Sequence, residues 1–285
     1  MTIVAESALV TTLGGSVRYA RSPDLLYTPA SVMKTLTLYT ARQTITDAML
    51  EDEVTVDSSD LLGGSTAHLQ ADDVLTWNDL FHGMMMPSGN DAAHCVARVA
   101  GDMLPGSGDP YERFLARMNA VCTEFGWVGA NVASSSGLDT ESRLSARQVC
   151  ELLLALDDYS VAVAGTQRWA GAITGPNART QVWKHTVKPD GEVPLPEMVA
   201  AKGGTLFEPP TANLALLWDD SLGNRHALAT LHSTQAARYS DVRTILDGIP
   251  AMRVQVDDRA RPVIRMRHRL DGVVRDVSSV TPSLP

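Results

Sequence analysis

Between Pro110 and Phe125 the apolar side chains fall at Tyr111, Phe114, Leu115, Met118, Val121, Cys122 and Phe125. That spacing lays them along one face of a helix. Asp109 and Pro110 supply a cap and a first-turn proline, and Gly126 ends the run. Helices are also predicted over 76–85 and 90–101. Ser31–Thr44 follows Pro29, contains no breaker and has Met33, Leu36 and Tyr39 in helical register, so Ser31 stands at a helix amino terminus. Ser145 and Gln148 have capping-box form ahead of the apolar run Val149–Leu156. The two ends of the chain read as strands instead. Ser7–Thr12 and Ser16–Ala20 flank Gly14-Gly15 as a hairpin would, and Met198–Gly204, Thr211–Trp218 and His226–His232 precede a closing helix over Thr234–Ile249. Beyond it, Val254, Val256, Val263, Ile264, Val273 and Val274 alternate loosely and predict at most additional strands.

Composition narrows the class. The 285 residues are 44% hydrophobic and 20% charged, which fits an ordinary globular protein and excludes disordered, collagen-like and disulfide-scaffold chains. Lys+Arg 24 against Asp+Glu 33 gives a net charge of −9, without the basic footprint that a nucleic-acid partner requires. No apolar stretch approaches the ~20 residues needed to cross a bilayer. Residues 1–10 lack the basic-then-apolar pattern expected of a signal peptide, and residues alone leave the compartment open. Cys95, Cys122 and Cys150 are odd in number, lack CxxC spacing and read as buried free thiols. The seven histidines show no ligand spacing, and nothing calls for a metal or cofactor.

The candidate chemistry begins with lysine scarcity: four lysines, Lys34, Lys184, Lys188 and Lys202, stand against twenty arginines. Lys34 lies three residues after Ser31, which puts its amine on the helix face of the hydroxyl. Serine is a weak nucleophile unless a base is beside it, and a lysine whose pKa is lowered by burial or neighbouring charge can be that base. Alone the pair is weak, since 21 serines and four lysines predict about 0.3 chance matches. A second element is Ser88-Gly89-Asn90, in a turn between two helical segments, where a hydroxyl and an amide can both face a cleft. A third is Lys202-Gly203-Gly204-Thr205, in a strand where glycines let a substrate backbone pair with the edge. Gly63-Gly64-Ser65-Thr66-Ala67 falls one residue short of a GxSxG elbow, and Ser65 reads as a loop residue.

Taken in order, Ser31-x-x-Lys34, Ser88-Gly-Asn90 and Lys202-x-Gly204 resemble the three motifs of penicillin-binding proteins and serine β-lactamases. The surrounding text, Tyr27-Thr-Pro-Ala-Ser31, Pro87-Ser-Gly-Asn-Asp-Ala-Ala93, Met118-Asn119, Ser136-Gly-Leu138 and Ser145-Ala146, looks like low-molecular-mass D-alanyl-D-alanine carboxypeptidases, over roughly residues 15–248. The resemblance implies an α/β (α+β) fold in which an antiparallel sheet is flanked by helices. Residues 1–40 and 172–250 would form the sheet subdomain, 41–171 an inserted, mostly helical lobe and 251–285 a short extension, in agreement with the order of elements. It implies Ser31 as the acylated nucleophile, Lys34 as its base, Ser88 as a proton shuttle and Asn90 as the group that orients the substrate amide. Lys202 would supply positive charge, and the backbone N–H groups of Ser31 and Thr205, beside Gly203 and Gly204, an oxyanion hole. The implied substrate is a peptidoglycan stem peptide or related D-amino-acid peptide, with β-lactams as acylating mimics and an extracytoplasmic site of action.

One departure bears on specificity. Gly203 occupies the place where the family pattern has a Thr or Ser hydroxyl for the substrate carboxylate, so carboxylate recognition is expected to weaken unless Thr205 or an arginine replaces it. Three other readings compete. A class A β-lactamase needs a dedicated glutamate, for which only Glu141 is nearby; an inactive peptidoglycan-binding module or an esterase, amidase or acyltransferase on the same scaffold would share the motifs.

Overall fold

Ser7–Thr12, Pro210–Asp219 and Arg225–Ser233 are buried along nearly their whole length, as expected where both faces of a sheet are covered, whereas Val17–Arg21 is largely exposed. The computed structural model describes residues 2–187, 198–220 and 222–249. In chain order the elements begin with β1 (Ser7–Thr12), β2 (Val17–Arg21) and β3 (Leu26–Tyr27). A 3₁₀ turn at Ala30–Val32 then runs into α1 (Met33–Arg42). Next come β4 (Glu53–Thr55), β5 (Val74–Thr76), α2 (Trp77–Met85), α3 (Asn90–Asp102), α4 (Pro110–Glu124), β6 (Leu144–Ser145) and α5 (Ala146–Leu154). The chain continues through α6 (Asp158–Gly165), β7 (Arg168–Ile173), β8 (Arg179–Lys184), β9 (Met198–Phe207), β10 (Pro210–Asp219), β11 (Arg225–Ser233) and α7 (Arg238–Gly248).

One antiparallel sheet, in the order β2-β1-β11-β10-β9, joins the two ends of the chain through the β1–β11 pairing, with Leu9 opposite Ala229. Alternation along these strands splits the core in two. Leu9, Ala215, Leu217, Ala227 and Ala229 pack with the apolar faces of the helices before residue 166, whereas Ala8, Val10, Leu214, Leu216 and Leu228 pack under Val242 and Ile245 of α7. Lys202, opposite Ala215 in the register, therefore shares a face with the first set.

Local signals account for most element ends. Asp109 accepts from Tyr111 N at the start of α4, and both capping-box bonds of Ser145 and Gln148 form at the start of α5. α7 begins at Arg238 rather than Thr234, because Thr234–Ala237 forms a separate turn closed by Ala237 N donating to Thr234 O. α6 and the β7–β8 hairpin were not anticipated. The positions 40/41 and 171/172 lie inside α1 and β7. The strands expected after residue 251, with the extension as a whole, lie outside the described residues. All three cysteines are free and buried.

Candidate active site

The chain turns sharply just before the candidate nucleophile: Ala30 is a non-glycine residue at φ +49°, and Ser31 follows on the 3₁₀ turn. Lys34, one turn on, is wholly buried. Its Nζ lies 2.9 Å from Ser31 Oγ, 2.8 Å from Asn90 Oδ1 and 2.8 Å from the carbonyl oxygen of Ser136. Two of those partners can only accept. A neutral amine has two N–H donors and one lone pair, so with both donors committed to Asn90 and Ser136 the lone pair is left facing the Ser31 hydroxyl. Burial, and then the charge of Lys202, hold Lys34 well below the ordinary lysine pKa, with Asp91 opposing them.

Ser88 is a second non-glycine residue in the left-handed region, at φ +65°, and its hydroxyl is almost sealed from water. Gly89 is required by space: a Cβ there would lie 2.7 Å from Asp91 Oδ1 and from the carbonyl oxygen of Gly83. Asn90 opens α3. Its Nδ2 donates to Gly63 O at 2.8 Å and its main-chain N–H to Ser65 O at 2.8 Å, which leaves Oδ1 for Lys34.

The third motif lies on β9, at the edge of the sheet among the described residues. Lys202 is wholly buried, and its Nζ donates to Ser88 Oγ at 2.8 Å and to Gly203 O at 2.9 Å. Burial, reinforced by the charge of Arg238, pulls it down to about 7. A Cβ on Gly204 would sit 2.8 Å from Pro29 O and 2.9 Å from Ser31 N, so glycine lets β9 run against the nucleophile turn. Arg238, at the start of α7, donates from Nη1 to Thr205 Oγ1 at 2.9 Å, and the same nitrogen is 3.7 Å from where a Gly203 side chain would begin.

Lys34 Nζ thus ties Ser31 to Asn90, Lys202 ties Ser88 to β9, Gly204 packs on the nucleophile turn, and Gly203 and Thr205 flank Arg238. Sequence reasoning missed three contributors. The carbonyls of Ser136 and Gly63 act through the main chain, which no side-chain pattern marks. Arg238 sits 33 residues beyond Thr205 in sequence and reaches it only because α7 folds back on the sheet.

This sheet, its helices and this cluster define a protein of the DD-peptidase/β-lactamase-like fold. The model of the D-alanyl-D-alanine carboxypeptidase family matches residues 1–185, and the chain belongs to that family, a group of serine hydrolases. Among solved structures, the Streptomyces K15 DD-transpeptidase is similar at 22% identity and TM-score 0.76, over 87% of this chain and 97% of that one. A cysteine-to-alanine mutant of the same transpeptidase gives 22% identity and TM-score 0.77, over 87% and 98%. A penicillin-binding protein homologue from Mycobacterium tuberculosis is similar at 18% identity and TM-score 0.74, over 87% and 91%. No curated protein matches the chain. No helix of the described residues is long and apolar enough to cross a membrane.

Proposed function

We propose that the protein cleaves the terminal D-Ala-D-Ala amide of peptidoglycan stem peptides, outside the cytoplasm, through an acyl-enzyme on Ser31. The observation that carries this reading is the three-way bonding of Lys34 Nζ: with the two N–H donors of its neutral form taken by Asn90 and Ser136, the lone pair faces the hydroxyl. The Ser31 oxygen adds to the carbonyl carbon of the scissile amide as its proton passes to Lys34. The resulting oxyanion rests on the N–H groups of Ser31 and Thr205. Collapse re-forms the carbonyl and breaks the C–N bond; Ser88 passes a proton to the departing amine and is resupplied by the Lys34 ammonium. Water then adds to the ester with Lys34 again accepting the proton, and Ser31 leaves with it.

The carboxylate of the leaving D-alanine meets Lys202, Thr205 and Arg238 in this reading. Arg238 takes over the task of the hydroxyl missing at Gly203; its Nε–H is buried and without a partner among the described residues. The same positive cluster attracts the carboxylate of a β-lactam, whose strained amide replaces the peptide. In this reading the substrate lies between β9 on one side and the nucleophile turn and Ser88-Gly89-Asn90 on the other.

Intact-protein mass spectrometry after exposure to a penicillin tests this directly. A single adduct that maps to the Ser31 peptide and is lost in Ser31→Ala is expected, together with D-alanine release from a stem peptide. An adduct that survives Ser31→Ala, or no D-alanine release, defeats the proposal.

A further inference from the structure

Asp91, the second residue of α3, is 2% exposed. Its carboxylate is spent on main-chain donors. Ala67 N donates to Oδ1 at 2.8 Å and to Oδ2 at 3.0 Å, Leu69 N to Oδ2 at 3.2 Å, and its neighbour Ala92 N to Oδ1 at 2.8 Å. Both oxygens must accept there, because an amide would turn one N–H toward another. The stretch it fastens is the one that holds Asn90: Gly63 O and Ser65 O accept from the Asn90 side chain and main chain. From the opposite side, Trp183 Nε1 donates to Ala67 O at 2.8 Å.

The consequence for the base is stereochemical. While Gly63 O accepts from Asn90 Nδ2, the amide oxygen must face Lys34. If the loop drifted and the amide rotated, Nδ2 would face Nζ, donor against donor. The amine would then turn its lone pair to Asn90 and lose it for Ser31. We infer that Asp91 is a positioning residue of the acylation step: by fastening Ala67 and Leu69 to α3 it holds Gly63 O in place, and so keeps the lone pair of Lys34 on Ser31. The inference rests on the acyl-enzyme reading of Ser31 and Lys34. Asp91 has a second, electrostatic effect on the same base. The charged groups acting on Lys34 are Lys202 from β9, which disfavours its ammonium, and Asp91 from α3, which favours it.

The test is the rate of labelling by a fluorescent penicillin, followed against concentration and pH for the wild type, Asp91→Asn and Trp183→Phe. Asp91→Asn is expected to label at Ser31 with a limiting acylation rate lowered ~10- to 100-fold and a penicillin Kd within about twofold of the wild type. The acid limb of its pH profile should move to lower pH, because removing the carboxylate makes Lys34 easier to deprotonate; a merely structural residue would not move that limb. Trp183→Phe loosens the same loop without changing charge, so it should lower the limiting rate with the limb unmoved. It carries the test alone if Asp91→Asn fails to fold, as judged by its melting curve. A folded Asp91→Asn that keeps the wild-type limiting rate, wherever its limb lies, or Trp183→Phe with an unchanged rate, overturns the inference. A wild type that does not label at Ser31 overturns the acyl-enzyme reading and this inference with it.

Discussion

Lys34 and Lys202 are both sealed from water, yet the proposed chemistry asks for opposite charge states. Lys34 must be neutral to accept the Ser31 proton, so acylation should rise with pH through its lowered pKa. Lys202 must stay charged to hold a carboxylate, and with its pKa near 7 the free enzyme loses that charge above neutrality. The kcat/KM for a free-carboxylate peptide should therefore form a bell whose alkaline limb lies near 7, while kcat, read on the bound complex, should hold to higher pH because the bound carboxylate stabilises the ammonium. A profile of kcat/KM that keeps climbing through pH ~9 would remove the role given to Lys202. Carboxylate recognition itself should fall on Arg238: Arg238→Gln is expected to cost ~1.5–3 kcal/mol, roughly ten- to a hundredfold, with free-carboxylate peptides and little with amide-capped ones. Gly203→Thr should change selectivity far less, since its Cβ meets Val187 Cγ2 at 3.4 Å with Arg238 already beside it. Competition between capped and uncapped peptides measures both. Gly203 shows where sequence reading stops: the loss of a hydroxyl is visible in the motif, whereas the arginine beside it is brought in by tertiary folding.

Elements, like residues, were legible where their signals were local. Caps at Asp109 and Ser145 mark α4 and α5 because the donors they satisfy lie within three residues. α6 escaped notice because Asp158–Gly165 has no one-sided apolar stripe, and the β7–β8 hairpin because its strands, though they alternate in burial, carry Gly171 and Gln181 at inward positions and Val182 at an outward one. The approach of β9 to the nucleophile turn depends on a glycine. Gly204→Ala would drive its methyl to within 2.9 Å of Ser31 N and push β9 from the nucleophile turn. Acylation should fall ~100-fold or more, the typical cost of an ångström of misplacement, with the far-ultraviolet circular dichroism unchanged. The segment between β4 and β5 is held by buried carboxylates. Burial alone would raise the pKa of Asp60, but hydrogen bonds from His94 and Arg98 outweigh it and leave it at about 2. Since that is below the unfolded value of ~3.9, the contribution of Asp60 is complete above about pH 4 and disappears as pH falls toward 2. Asp60→Asn should cost about 1–3 kcal/mol at neutral pH, near the low end because the Arg98 side chain is 27% exposed and rehydrates, and should flatten the acid arm of the stability curve.

At the scale of the whole molecule, the remaining question is how the acyl-enzyme is discharged. A β-lactamase of the class A type needs a carboxylate aimed at the deacylating water, and Glu141 was the nearest acidic candidate in sequence. In the fold, Glu141 is an exposed residue of the turn that Asp139 closes by accepting from Glu141 N at 2.8 Å and from Ser142 N at 2.6 Å. The carboxylate that bears on Lys34, Asp91, is engaged by main-chain N–H groups. In the proposed mechanism Lys34 then serves as the base for deacylation as well as for acylation. A cleaved peptide leaves with its amine and lets water take the vacated place, whereas an opened β-lactam keeps its amine tethered there by the covalent ring system. The same site should therefore turn over peptides and stall on penicillin. One equivalent of penicillin per chain should bind in a burst, and the adduct should persist for minutes or longer by intact mass while D-alanine release from a stem peptide is blocked. Hydrolysis of penicillin at many cycles per second would require a deacylating group other than Lys34 and would return the β-lactamase reading to first place.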